Sequence, residues 1–372
     1  MRHLVNFVHS FGLINLFLLF FFLSNLFTFA LYGIDKRRAV KNKWRISEGT
    51  LLFFTLALGG IGAFFGMYFL RHKTKKLKFK ISVVLGVVIA LIPIIHIAHS
   101  LTLDRIIQYI ELDFYSEAWP SELDGYRIAF MTDKHSITDE DMANVIAELN
   151  DRNLDLLLLG GDFSSDVFRG GNHYQGTVRE ISRAITTDGI FGVDGNHDHY
   201  ARLFYAKEQY GIIPLGNTGL EIREGFYLAG VHDLWNRDNN NVKEADVADA
   251  IAGANSDDFI LLISHNPDIS MEQSTAGIDL IVAGHTHGGQ ITFFGFPFYL
   301  LRGGITNYGL RFAHGFNYSA DGVPLFTSRG VGPYYNWPRI FARPEVVIFT
   351  MRSTNALSSS GALDSTSSLD SE

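Results

Sequence analysis

The 372-residue chain contains no cysteine, which excludes a disulfide scaffold and any thiolate-held metal site. Acid is nearly absent from the first hundred residues. Only Asp35 and Glu48 stand there against 13 Lys and Arg, a net of +11. Base is scarce in the remainder, where 18 Lys and Arg face 37 acids, a net of −19, and the two sums return the −8 of the whole chain. So acidic a segment repels a phosphate backbone, and no nucleic-acid partner is expected. Charge of either sign is missing altogether from 3–34, 49–70 and 81–103. Each of these stretches is long enough to cross a hydrocarbon core of about 30 Å at about 1.5 Å per residue. The first lacks a clear small-residue cleavage site and is followed by two more apolar stretches, which argues against a removed signal peptide. Buried helices of a soluble protein are the bland alternative. The confinement of charge to the gaps between apolar blocks favours a helical membrane domain over residues 1–103, with two or three spans.

The middle stretch carries Gly59, Gly60, Gly62 and Gly66, a density that suits either close helix contact in lipid or a broken, re-entrant segment. Six Lys and Arg lie in 35–48 and six more in 71–80. The tendency of basic loops to remain in the cytoplasm places both on one side. A full crossing by 49–70 separates them, whereas re-entry keeps them together. Residues 12–95 resemble a small bacterial membrane domain of unknown function. The similarity lies in Tyr32 with Asp35–Lys36, Trp44–Arg45–Ile46–Ser47–Glu48, Gly59–Gly60 and Arg71–His72–Lys73–Thr74. It implies no mechanism.

Residues 104–125, with Pro120 and several acids, read as a linker. From 126 onward short apolar runs alternate with helical patterns, the signature of α/β layers. Strands are expected at Tyr126–Met131, Leu154–Leu159, Ile190–Val193, Phe259–Ile263, Leu280–Ala283 and Glu345–Met351, and a helix over 138–152. The domain therefore spans 126–352. Residues 353–372, with eight Ser and no large aromatic, read as a disordered tail.

Five short motifs follow these strand runs: Asp133–Lys134–His135, Gly161–Asp162, Gly195–Asn196–His197–Asp198, Ser264–His265–Asn266, and Gly284–His285–Thr286–His287. Sites of open α/β sheets lie beyond the carboxyl ends of the strands. Alternation along a strand would direct Asp133 and His135 to the same side. Taken singly, Asp162 reads as a turn or cap residue, His265 as a core histidine and Gly195–Asn196 as a hairpin turn. Five such motifs in order, each after an apolar run, favour a metal site over those readings jointly.

With these motifs the segment 125–351 resembles the calcineurin-like metallophosphoesterases, and within them a membrane-associated bacterial branch that includes a UDP-diacylglucosamine hydrolase. Further similarity to that branch lies in Asn217, His232–Asp233, His314–Gly315, Ser328–Arg329–Gly330 and Arg343–Pro344–Glu345. The resemblance implies an α/β fold of layered β-sandwich type flanked by helices. It also implies a cofactor of two divalent ions of Mn, Fe or Zn type. Asp133, His135 and His287 would hold one ion, Asn196, His265 and His285 the other, with Asp162 between them. His197 would assist the leaving group, oriented by Asp198. A hydroxide shared by the ions would attack phosphorus. In one respect the chain departs from the family: the middle residue of the first motif, usually apolar, is Lys134. A lysine there points toward the layer packed on the sheet and needs a partner or an exit to water.

The expected activity is hydrolysis of a phosphate ester, in particular a diester or pyrophosphate of an amphiphilic, lipid-linked substrate, by an enzyme integral to a bacterial cell membrane. A metal-binding sensor without turnover, or a transporter with a regulatory soluble domain, are the competing classes. The absence of intramembrane acid from the apolar stretches weakens the transporter. The lipid expectation comes from Phe293–Leu301, in which eight of nine residues are apolar or aromatic. Core packing of a hairpin is its plain alternative. If the run is an apolar edge instead, Phe296 and Phe298 would meet lipid and Arg302 a headgroup phosphate. The scarcity of base after the third apolar stretch places the C-terminal domain outside the cytoplasm.

Overall fold

The computed structural model describes residues 2–135, 137–163, 172–198, 207–235, 244–298, 300, 305–333 and 338–355. The chain divides between Thr102 and Leu103 into two compact units.

Apolar sequence without internal charge makes the first unit helical: α1 (Arg2–Val40), α2 (Glu48–Leu56), α3 (Gly60–Phe69) and α4 (Leu77–Leu101). Asn15–Val40 and Leu77–Arg105 are long and apolar enough to cross a membrane. The middle stretch is not one span. Leu58, at φ 65°, breaks it into α2 and α3, which at 1.5 Å per residue are each only about 15 Å long, half a hydrocarbon core. Backbone groups freed at such a break need partners, because each unsatisfied one costs several kcal/mol in lipid. Asn25 of α1 supplies them: its amide donates to Leu58 O at 2.9 Å and its carbonyl accepts from Gly62 N at 2.9 Å.

The two half-helices turn back on each other. Glu48, at the start of α2, meets Lys73 Nζ at 2.7 Å, just beyond the end of α3. Buried Asp35 accepts from Arg45 Nε at 3.2 Å and from Ile46 N at 3.1 Å, and lies 2.7 Å from His72 Nε2. Both basic loops are thereby tied into one network. The tip of the hairpin reaches the middle of α4: a Cβ on Gly60 would fall 2.0 Å from the carbonyl carbon of Gly86. Only a residue without a side chain permits that approach.

In the second unit the strands alternate side chains between two covered faces. Among the described residues they form two six-stranded sheets. The first runs β1 (Gln108–Ser116), β12 (Glu345–Ser353), β2 (Arg127–Met131), β3 (Leu156–Leu159), β4 (Ile190–Gly192) and β5 (Ile213–Pro214). The second runs β10 (Gly315–Tyr318), β11 (Pro324–Thr327), β9 (Leu280–Ala283), β8 (Phe259–Ile263), β7 (Phe226–Gly230) and β6 (Thr218–Arg223). Strands β2 to β5 are parallel, as are β7, β8, β9 and β11.

Ile128, Phe130, Leu156 and Leu158 face Leu228, Leu261, Ile263 and Val282 between the sheets. The alternate residues, Ala129, Met131, Leu157 and Leu159, meet α5 (Asp139–Asn150) and α6 (Asn172–Ile181) through Met142, Val145, Ile146 and Val178. On the other side Ala229, Ile260, Leu262 and Ile281 pack with Val247, Ala250 and Ile269 of two short helices. Doubly covered parallel strands explain the continuous apolar runs of the sequence. The result is the layered α/β sandwich with flanking helices that the family resemblance implied.

The stretch 104–125 is not a linker. It contains β1, paired in parallel with β12 over nine residues, Gln108–Ser116. Its charges alternate with Ile110, Leu112 and Phe114, which join the inter-sheet core. The last strand runs to Ser353, two residues beyond the expected end. The Ser-rich tail from 356 onward lies outside the described residues.

Candidate metal centre

Every motif begins where a parallel strand stops. Asp133 and His135 follow β2, Asp162 follows β3, Asn196 follows β4, His265 follows β8, and His285 with His287 follow β9. The carboxyl ends of both sheets thus deliver their loops to one place. Strand alternation is not what unites Asp133 with His135, because β2 ends at Met131. Both residues instead adopt left-handed backbone, at φ 55° and 38°, and so do Asp162, His285 and His287, at 56°, 71° and 53°. Such conformations cost non-glycine residues on the order of 1–3 kcal/mol each and persist only where surrounding structure holds them. The support is visible. His265 Nδ1 lies 2.7 Å from Gly160 O, His197 N donates to Asp162 Oδ1 at 2.8 Å, and His285 N donates to Asp133 Oδ2 at 2.9 Å. A side chain on Gly284 would strike Asp133 Oδ2 at 2.5 Å, so that position admits none.

The ligand atoms converge. His135 Nε2 and His287 Nε2 are 3.0 Å apart, and His287 Nε2 is 3.4 Å from Asp133 Oδ1. Asp162 Oδ2 lies 3.4 Å from His135 Nε2 and 3.3 Å from His265 Nε2. His265 Nε2 is in turn 3.2 Å from both Asn196 Oδ1 and His285 Nδ1. Two groups, Asp133–His135–His287 and Asp133–Asp162–His265, each bring their ligand atoms within 4.8 Å of one another. Asp162 therefore lies between the two histidine sets. All of these residues except Asn196 are buried. Asp133 Oδ1 is buried with no hydrogen-bond donor. Buried carboxylates require compensating charge, and convergent oxygen and imidazole donors without sulfur suit borderline divalent ions. The residues present fit such a group.

Electrostatics follow from the same packing. Burial opposes ionisation of Asp162, but His265, His135 and His197 outweigh it and hold its carboxyl well below the usual range. Burial, then the charge of His265, depresses His285 to about 4. His197 is only half-buried, its ring 5.4 Å from that of His135. Burial lowers its pKa as well. Asp198 accepts from the backbone amides of Gly195 at 3.2 Å and Phe163 at 3.3 Å, bracing the turn that carries His197. Burial, then the charge of Asp162, raises its carboxyl to about 8. Lys134 is buried with its ammonium 3.9 Å from Asp139 Oδ1 at the start of α5, which gives it the partner that a buried lysine needs.

The sequence reading missed Arg339. This buried guanidinium donates to Arg329 O at 2.7 Å and to Ala342 O at 3.1 Å, and its Nη2 lies 3.2 Å from His287 Nδ1. No local motif marks it. Phe296 and Phe298 are exposed, and so are Phe293 and Phe294, while Leu300 is buried. Core packing does not account for the aromatic run. Arg302 lies outside the described residues.

A two-sheet sandwich whose strand ends converge carboxylates and histidines offers a candidate metal centre. Comparison with known proteins names the class. Residues 126–289 match the family described as calcineurin-like phosphoesterase, and residues 25–79 match a family described as protein of unknown function, DUF1294. The domain behind the N-terminal helices is thus similar to the calcineurin-like phosphoesterases, and these relatives support a metal-dependent phosphoester hydrolase. It is 27% identical over 263 residues to "Uncharacterized metallophosphoesterase YkuE" of Bacillus subtilis, covering 68% of this chain and 87% of that one. It is 26% identical over 246 residues to an "Uncharacterized metallophosphoesterase" of Helicobacter pylori, covering 64% and 62%. A "Transmembrane protein with metallophosphoesterase domain" of Danio rerio is 24% identical over 261 residues, covering 65% and 57%. The chain spans about three-fifths of the length of these last two relatives.

Proposed function

We propose that the protein is a membrane-anchored phosphoesterase that uses two divalent ions to hydrolyse an amphiphilic phosphodiester or pyrophosphate. The observation that carries this reading is the convergence of Asp133, His135 and His287 on one side of Asp162 and of Asn196, His265 and His285 on the other. Asp162 would bridge the ions. Such ions supply water activation near neutral pH and charge stabilisation at phosphorus. The protein's own contribution is to hold seven ligands in place before substrate arrives. His197, half-buried beside His135, would meet a phosphoryl oxygen or the departing group, with Asp198 holding its turn.

Three features support the amphiphilic substrate: the two long apolar helices, the short chain between α4 and the sandwich, and the exposed Phe296 and Phe298 beside the last ligand motif. The helical hairpin α2–α3 supports an orientation. With both basic loops in one network, α2–α3 is read as re-entrant and only α1 and α4 as spans. The positive loops then lie in the cytoplasm and the phosphoesterase domain outside it.

The central test is Asp162→Ala in the full chain, assayed on a small phosphodiester with added Mn or Zn and analysed for bound metal. Loss of turnover together with loss of metal is expected. Near-normal activity rejects the two-ion reading.

A further inference from the structure

We propose that the aromatic turn Phe293–Phe298, together with Ile291, Leu103 and Ile106, is a membrane-docking surface that seats the phosphoesterase domain on a lipid bilayer. This rests on the membrane-anchored reading above and adds the partner of one particular face. Phe293, Phe294, Phe296 and Phe298 are 44%, 50%, 43% and 54% exposed, and Leu103 and Ile106 are 44% and 54% exposed. Single exposed apolar residues are ordinary; a contiguous group marks a contact surface.

The turn is built to hold its rings outward. Phe293 N donates to Phe296 O at 2.9 Å and Phe296 N to Phe293 O at 3.0 Å. Phe294 and Gly295 between them take φ of 51° and 88°, the pattern of a tight two-residue hairpin turn. Thr292 Oγ1 accepts from Gly295 N at 3.0 Å. The rings pack on each other, with centroids 4.9 Å apart for Phe293 and Phe294 and 4.6 Å for Phe296 and Phe298. An ordered aromatic cluster offers its surface to a partner without further loss of conformational freedom.

What identifies the partner is the place where the chain enters this unit. Thr292 N donates to Ile340 O at 3.0 Å, and the Phe341 ring lies 5.2 Å from that of Phe294. Phe341 N donates to Asp104 Oδ2 at 2.8 Å, and Arg343 Nε donates to Leu103 O at 3.1 Å. The aromatic turn is thereby strapped to residues 103 and 104, which directly follow the apolar helix α4 (Leu77–Leu101). A span that ends at Leu101 delivers the chain at the headgroup level, where aromatic rings are favoured and a cationic side chain such as exposed Arg105 meets lipid phosphate. The same turn abuts the metal motif: a Cβ on Gly289, two residues past His287, would fall 2.4 Å from Pro297 Cβ. Docking through the turn brings the metal centre to the bilayer surface.

The absence of native cysteine makes the test direct. Phe294→Cys, Phe296→Cys and, as an aqueous reference, Ser256→Cys would each be nitroxide-labelled in the full chain. The labelled chains would be reconstituted in nanodiscs of phosphatidylcholine and phosphatidylglycerol. Collisions with oxygen and with a nickel chelate are then compared. Labels at 294 and 296 should lose nickel accessibility and gain oxygen accessibility relative to 256. Equal nickel accessibility at all three positions overturns the proposal. Protection that persists in lipid-free amphipol also overturns it, by assigning the face to a second copy or to the fold itself. The readout needs no turnover, so failure of docking and failure of the hydrolase reading are seen separately.

Discussion

Asp133, His135, Asp162, His285 and His287 all occupy left-handed backbone, and that shared feature separates ligand geometry from the strand alternation first invoked for it. The residue types were legible in the sequence because each motif follows an apolar run. Their conformations were not, since a strained φ is imposed by neighbours distant in sequence. Arg339 shows the same limit: it reaches His287 across 52 residues. His197 has a distinct place, half-buried while its motif neighbour Asn196 reaches toward His265. His197→Ala should therefore lower turnover by about 10²–10⁴, the usual range for a group acting in proton transfer, and leave the metal content near that of the parent. Kinetics combined with elemental analysis checks both halves. A large loss of metal would make His197 a ligand instead.

One element changed its meaning once the chain was folded. Strand β1 resembled a linker because Glu111 and Asp113 interrupt its apolar residues, yet alternation is what a half-covered strand requires. It hydrogen-bonds along β12. A fragment beginning at 126 would expose that edge of β12 and should aggregate, whereas one beginning at 103 keeps the edge paired. Light scattering of the two fragments after expression tests the difference, and equal solubility would contradict the role given to β1. The aromatic turn is exposed, as the apolar-edge expectation had it and unlike a core hairpin. Runs of Phe usually pack inside, but Phe293, Phe294, Phe296 and Phe298 do not. Replacing Phe296 and Phe298 together with Ser should reduce turnover of a lipid-linked phosphoester far more than that of a small chromogenic diester. Equal loss on both would remove the basis for an amphiphilic substrate. Since both side chains are exposed, the melting temperature should change little, which thermal unfolding can verify.

At the scale of the whole molecule, the charge asymmetry acquires a physical reason. Twelve basic residues in two loops would repel each other if brought together without acid, and Asp35 and Glu48 are the acids that join them. The two acids of an otherwise basic segment thus have a structural task. The topology that follows is open to test in the cysteine-free chain. Cysteines placed at Lys43 and Lys75 should react with an impermeant maleimide from the same side of sealed vesicles, and a cysteine at Ser256 from the opposite side. Reaction of 43 and 75 from opposite sides would mean that α2–α3 crosses the bilayer.

Composition and order alone determined much of this protein. Charge-free stretches announced the helical segment, apolar runs alternating with helical patterns announced the α/β domain, and five motifs behind those runs marked its candidate ligands. These features are local, because burial on both faces makes a strand continuously apolar and a site at strand ends places its residues just after such runs. Only the tertiary structure decided the rest. It showed that 49–70 is a hairpin, since its reversal depends on Asn25, on the Glu48–Lys73 ion pair across 25 residues and on the Asp35–His72 hydrogen bond across 37. It made 104–125 part of the sandwich, because pairing with β12 joins segments more than 200 residues apart. It left the aromatic turn exposed, because whether an apolar run is buried depends on what the fold brings to cover it.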